Sequence, residues 1–230
     1  TFAHNDAADL ERLLDLYRGE AHRVLVVTEG VFSMDGDIAP LDAISAVCER
    51  HDAWLLVDDA HAVGVIGGGR GSGAMFPTAR VHLAMGTLSK ALGSFGGYVC
   101  ADKAVIDLLK TRARSSVFAT ALPPASAAAA LAALQVVQTE PQRVAAVLAK
   151  ARAFTDAAGL PPAQSAIVPV ILGSAQAALD AQAALETQGL LAMAIRPPTV
   201  PKGAARLRLA FSAAHDFADI DRLAAAVRAQ

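Results

Sequence analysis

The chain has 230 residues, of which 54% are hydrophobic and 18% charged, with a net charge of −2 at neutral pH. That is enough chain for one large domain or two small ones with a self-supporting core. It excludes a charged disordered tail and offers no basic field for nucleic acid. Cys48 and Cys100 stand far apart, which excludes a disulfide scaffold and a four-thiolate zinc site and suits a reducing compartment such as the cytoplasm.

In chain order, Asp6–Tyr17 reads as a helix with Leu10, Leu13 and Leu14 on one face. Arg23–Thr28 is a valine-rich buried strand that runs into Glu29-Gly30. Leu41–His51 is helical, and Trp54–Val57 is a second buried strand ending in Asp58-Asp59-Ala60-His61. Val81–Met85 and Phe95–Cys100 follow as strands and Lys103–Arg114 as a helix. No charge falls between Arg114 and Glu140, yet Pro123 and Pro124 break that stretch, and the alanine-rich remainder is shorter than a membrane span. No leader with a basic start and an apolar run is visible. Short apolar strands between helices predict an α/β fold: a largely parallel sheet with helices on both faces.

From about Gln138 the texture changes. A long helix is expected to Ala158, with Gly159 as C-cap. A strand (Ala166–Leu172), a helix (Ala175–Gln188) and a strand (Leu191–Ile195) come next. After a proline-rich loop, a strand (Arg206–Phe211) leads into a last helix capped by Asp216. The expected division is a large domain over 1–137 and a smaller α+β domain over 138–230.

In open α/β sheets the ligand sits beyond the carboxyl ends of the strands. Those ends deliver Ser33, the Asp58–His61 segment, and Thr87-Leu88-Ser89-Lys90. Each has a bland reading: Lys90 as a surface lysine, His61 as a loop histidine. Asp58, Asp59 and His61 could ligate a metal, but no clustered further partner is evident. Gly67–Gly73 has the glycines of a phosphate loop without its Gly-Lys-Ser/Thr ending and reads as a mobile turn. Taken jointly, the set suits pyridoxal phosphate (PLP), which needs a lysine for its imine, a carboxylate at the ring nitrogen and donors for its phenolic oxygen and phosphate. Lys90 supplies the imine and Asp58 the carboxylate. His61 and Ser33 reach the phenolic oxygen, and Thr87, one helical turn before the lysine, binds phosphate.

Phe32-Ser33-Met34-Asp35-Gly36, Val57–His61, Thr87–Lys90 and Arg208-Leu209 through Ala213-Ala214-His215 together resemble the α-oxoamine synthases. These are fold-type I PLP-dependent transferases that condense an amino acid with an acyl thioester and lose CO₂. Ile195–Gly203, with Arg196-Pro197-Pro198-Thr199, resembles the branch that joins L-alanine to a pimeloyl thioester, on CoA or acyl carrier protein, in biotin biosynthesis. The glycine C-acetyltransferase branch usually differs there, and the 5-aminolevulinate synthases and serine palmitoyltransferases fit less well. The resemblance implies that Lys90 carries PLP, is buried beside it and moves the α-proton. His61 polarises the phenolic oxygen, Thr199 contacts substrate, and Arg208 holds the amino-acid carboxylate. It also implies a homodimer.

Family members are longer, and the match begins in mid-domain at Thr1. The chain therefore reads as the C-terminal part of an enzyme. Alone it is expected to self-associate and to bind PLP poorly. A non-catalytic partner subunit is the competing reading, although the joint presence of Lys90, Asp58 and His61 argues against it. A PLP-binding regulator fused to a DNA-binding module fits the neutral charge poorly.

Overall fold

The structure, a computed structural model, describes residues 1–229; Gln230, the end of the domain expected over 138–230, lies outside the described residues. The chain divides into two compact units. The first holds Thr1–Val31 and Ile38–Glu140; the second holds Phe32–Asp37 and the chain from Pro141 onward.

In the first unit, helix α1 (Ala7–Tyr17) starts where the Asp6 carboxylate accepts from the N–H groups of Ala8 and Asp9, at 2.9 and 3.0 Å. Those donors have no partner inside the helix, so the cap fixes its start. Strand β1 (Leu25–Glu29), helix α2 (Leu41–Arg50), β2 (Trp54–Asp58), β3 (Leu83–Thr87) and β4 (Gly97–Ala101) follow. The sheet is four-stranded in the order β1-β2-β3-β4; β1–β2 and β2–β3 are parallel and β3–β4 antiparallel. Leu41, Ile44, Val47 and Cys48 of α2 are buried, as their spacing predicts.

The β1 strand departs from the fully buried expectation. Val26 and Thr28 are buried, while Leu25 and Val27 are 50% and 56% exposed. An edge strand with alternating side chains buries one face only. After β4 come α3 (Lys103–Arg112), α4 (Arg114–Val117) and α5 (Pro124–Thr139). The helix expected from Lys103 to Arg114 is interrupted at Ala113, whose ψ is 103°.

In the second unit, α6 spans Pro141–Ala158. The helix expected from about Gln138 does not run through: Glu140, at φ −120° and ψ 62°, breaks it from α5. The cause is Pro141, which lacks an N–H and crowds the preceding residue out of helical geometry. Strand β5 (Ile167–Gly173), helix α7 (Ala175–Glu186), β6 (Met193–Ile195), β7 (Ala205–Ala210) and α8 (Phe217–Arg228) complete the unit. Its three-stranded sheet runs β5-β7-β6, antiparallel throughout. Phe154, Leu185 and Leu207 are fully enclosed, and the Phe154 and Phe211 rings pack 5.2 Å apart. Asp216 occupies the N-cap position of α8, but its side chain makes no capping bond. Among the described residues no helix is long and apolar enough to cross a membrane.

Candidate active site

In the first unit the carboxyl ends of neighbouring strands converge. Glu29, Asp58 and Met85 lie in lateral register across β1, β2 and β3. The ladder continues one step further: Gly30 N–H donates to the Asp58 carbonyl and Asp59 N–H to the Met85 carbonyl, each at 2.8 Å. Asp58 is half-buried and its Oδ1 accepts from the Ala60 N–H at 2.8 Å, which turns the chain sharply after the strand. His61 rides that turn, also half-buried; the turn closes on the Asp59 carbonyl, which accepts from Ala62 and Val63 at 2.9 and 3.1 Å. A carboxylate and an imidazole are thus displayed within one tight turn at a sheet end.

Thr87 closes β3, and its hydroxyl donates to the Gly96 carbonyl at 3.0 Å while lying 2.7 Å from the Ser89 hydroxyl. The segment from Thr87 to Lys90 is not helical, contrary to the sequence expectation. It starts a loop pinned at its base, where Leu88 N–H donates to Gly96 at 2.9 Å and Ser94 N–H to Leu88 at 2.8 Å. Thr87 is still in β3, paired with Gly97, and the Leu88 N–H and carbonyl are both taken by the far side of the loop, away from a helical ladder. Lys90 is on this loop, its carbonyl accepting from the Gly93 N–H at 2.9 Å. Its side chain is exposed in this chain.

Ser33, Thr199 and Arg208 belong to the second unit. Arg208, half-buried on β7, donates from Nε to the Ser33 carbonyl at 2.5 Å. Burial pulls its pKa down from the ordinary arginine value, yet a guanidinium stays charged. Two residues earlier, on the same face of β7, the buried Arg206 donates to the carbonyls of Met34 and Ala204, each at 3.0 Å, and pairs with Asp35 at 2.6 Å. Two arginines therefore thread the Phe32–Gly36 segment onto the sheet. Thr199 is exposed in the loop before β7, its N–H donating to the Arg196 carbonyl at 3.0 Å.

Sequence reasoning missed three features. The Gly67–Gly73 run is not a free turn: Val63 bridges Arg70, Gly64 N–H donates to Gly69 at 2.9 Å, and Ser72 is fully buried against Asp59. Arg206 was overlooked beside Arg208, although alternation along a strand puts both on one face. Tyr98 faces Gly86 so closely that a Cβ there would lie 2.4 Å from its hydroxyl. Burial first, then the charges of Cys100 and Asp59, raises the Tyr98 pKa.

Residues 1–227 match the aminotransferase class I and II family, and the chain belongs to it. Its fold is the fold-type I architecture of PLP-dependent transferases. Over 227 residues it is 60% identical to an 8-amino-7-oxononanoate synthase of Methylocella silvestris, covering 99% of this chain and 65% of that protein. A Caulobacter vibrioides protein provisionally named for the same activity is 67% identical over 226 residues, covering 98% of this chain. The chain spans 59% of the length of that relative. Among solved structures, Sphingomonas wittichii serine palmitoyltransferase gives a TM-score of 0.92 at 33% identity, covering 99% of this chain and 59% of that one. The 8-amino-7-oxononanoate synthase of Francisella tularensis gives 0.81 at 28% identity, with coverage of 98% and 66%. A serine palmitoyltransferase structure described as containing PLP gives 0.89 at 33% identity, with coverage of 99% and 59%.

Proposed function

We propose that the chain serves as an 8-amino-7-oxononanoate synthase, joining L-alanine to a pimeloyl thioester with loss of CO₂. The observation that supports this best is identity of 60% over nearly the whole chain to an enzyme of that name. Serine palmitoyltransferases share the fold at 33% identity, which speaks for the family and not for the substrate.

The donor set fits PLP. A half-buried carboxylate, an imidazole, a hydroxyl pair and a primary amine stand at the ends of neighbouring strands of one sheet. When bound, PLP supplies an electron sink for the amino-acid α-carbon. Lys90 would hold it through Nζ and, once released by substrate, take the α-proton. Asp58 would keep the ring nitrogen protonated. His61 and Ser33 would donate to the phenolic oxygen. Thr87 would serve the phosphate by turning its one proton away from Gly96. Arg208 has spent Nε on Ser33, but its paired η nitrogens remain for the alanine carboxylate, a bidentate geometry that suits a guanidinium. Thr199 would contact the substrate. The same reading implies a homodimer, for which sedimentation of the full-length protein is the measure.

The test is substrate choice by the full-length protein, with amino-ketone product read by mass spectrometry. L-alanine with pimeloyl-CoA or pimeloyl-acyl carrier protein should outperform glycine or L-serine with acetyl- or palmitoyl-CoA. A clear preference for glycine with acetyl-CoA would move the protein to the glycine C-acetyltransferase branch. Lys90→Ala should lose the borohydride-reducible PLP adduct on the peptide around residue 90; an intact adduct there would overturn the assignment.

A further inference from the structure

Asp58 and Asp59 are neighbours in sequence with opposite surroundings. Alternation at the strand end turns them to opposite sides. Asp58 is half-buried, while Asp59 is 8% exposed and faces Ser72, which is wholly buried. Ser72 gives Asp59 both of its donors: the N–H at 3.0 Å to Oδ2, and the hydroxyl to Oδ1. Among the described residues no cation pairs with the Asp59 carboxylate; burial raises its pKa, the Ser72 bonds oppose this, and the Asp58 charge adds to the rise. Burial, then Cys100 and then the Asp59 charge raise the pKa of Tyr98. A buried carboxylate without a cation is costly unless hydrogen-bonded, and here Ser72 holds both of its oxygens in one geometry.

Glycines on either side show how closely the pocket is cut. A Cβ on Gly30, just past β1, would fall 2.0 Å from Asp59 Oδ1. One on Gly71, at φ +89°, would fall 2.3 Å from Oδ2. The Asp59 backbone is equally committed. Its N–H donates to Met85, and its carbonyl accepts the bonds that close the His61 turn. Any shift of this residue moves Asp58 before it and His61 after it.

We propose that Asp59 is a positioning residue: gripped by Ser72, its carboxylate sets the turn that presents Asp58 and His61 to the cofactor. This rests on the PLP reading above, and the test separates the two. In the full-length protein, PLP affinity by equilibrium dialysis and the wavelength of the bound cofactor's visible band are compared for Asp58→Asn, Ser72→Ala and Gly73→Ala. A change at Gly73 meets nothing within 4 Å and controls for the loop. Ser72→Ala should weaken PLP binding roughly 10- to 150-fold, the range for one lost hydrogen bond to a charged group. It should move the visible band in the same sense as Asp58→Asn but less, with Gly73→Ala unchanged. A merely structural role for Ser72 would not move the band of the protein that remains folded. If Asp58→Asn shifts the band and Ser72→Ala leaves band and affinity as they were, positioning by Asp59 is overturned. If neither moves the band, the assignment of Asp58 falls, and this proposal with it. Should Ser72→Ala not fold, Ser72→Cys keeps a weak donor in nearly the same volume and is read by the same outcomes.

Discussion

Replacing Gly36 by alanine should destabilise the second unit far more than the same change at Gly203, and the difference can be worked from geometry. Both glycines have positive φ, +72° and +83°. Alanine in that region costs about 1–2 kcal/mol at either site. At Gly203 a new Cβ meets nothing within 4 Å. At Gly36 it would sit 2.0 Å from the Ile167 carbonyl oxygen and 2.8 Å from its carbon. A carbon–oxygen contact needs about 3.3 Å, so backbone must part from backbone by more than an ångström. Neither side yields easily. Ile167 is paired with Ala210 in the sheet, and the Gly36 carbonyl accepts from the buried Ser165 hydroxyl at 2.7 Å. Overpacking of this kind adds about 1–3 kcal/mol, giving a total of about 2–5 kcal/mol against 1–2 at Gly203. With a urea slope of about 2 kcal/mol per molar, the midpoint should fall by about 1–2.5 M for Gly36→Ala and by under about 1 M for Gly203→Ala. Circular dichroism during urea titration reads both. Equal midpoints for the two variants would refute the argument that the Gly36–Ile167 approach is what demands glycine.

Other expectations concern charge and reactivity. Arg206→Met strands the carbonyls of Met34 and Ala204 and frees Asp35; a loss of about 3 kcal/mol is expected in the same titration. Arg206→Lys should recover less than half of it, because an ammonium cannot span those acceptors as a planar fork does. Cys100 is exposed and should react with Ellman's reagent in the native protein, whereas Cys48, buried with its thiol pushed up to about 11, should react only on unfolding. His82 is held below its ordinary value of 6.5 by burial and then by the Arg80 charge, and its Nδ1 accepts from the Leu55 N–H at 3.1 Å. The unfolded chain therefore takes up this proton more readily, so the His82 contribution to stability is present above pH 6.5 and lost as pH falls through the depressed folded value. His82→Gln should flatten the urea midpoint between pH 7 and 5; an unchanged slope would show that His82 does not carry it.

Much of this molecule is legible in its sequence. Helix α2 announced itself by Leu41, Ile44, Val47 and Cys48, and the strand ends by abrupt switches from valine and leucine to acid and glycine, because burial periodicity is a local property. The family's motifs then grouped residues that no spacing rule could join. Register and orientation were not legible. Whether Thr87–Lys90 coils or bends depends on β4 pairing antiparallel with β3, which is decided by residues ten positions away. The Gly67–Gly73 run looked loose because the partner that holds it, Asp59, reads as a duplicate of Asp58. One buried face of β1 and one exposed face cannot be separated in an all-apolar run such as Leu25–Val27. Pro141, by contrast, carried a clear local warning of a break in the helix that the alanine-rich composition masked.

The path of the backbone around Phe32–Asp37 has a consequence for how such a protein can be built and inherited. The chain leaves the first unit at Val31 and rejoins it at Ile38, and those two residues bridge each other at the neck. The loop between them finds its partners 129 positions away at Ser165 and 175 away at Arg208. This hexapeptide can therefore complete its packing only once the chain through Arg208 has been made. The C-terminal unit is consequently not a cassette. A gene cut at Pro141 and fused elsewhere would deliver a sheet whose buried Arg206 has lost its acceptors at residues 34 and 35. Recombination can exchange this unit cleanly only if the short upstream loop travels with it.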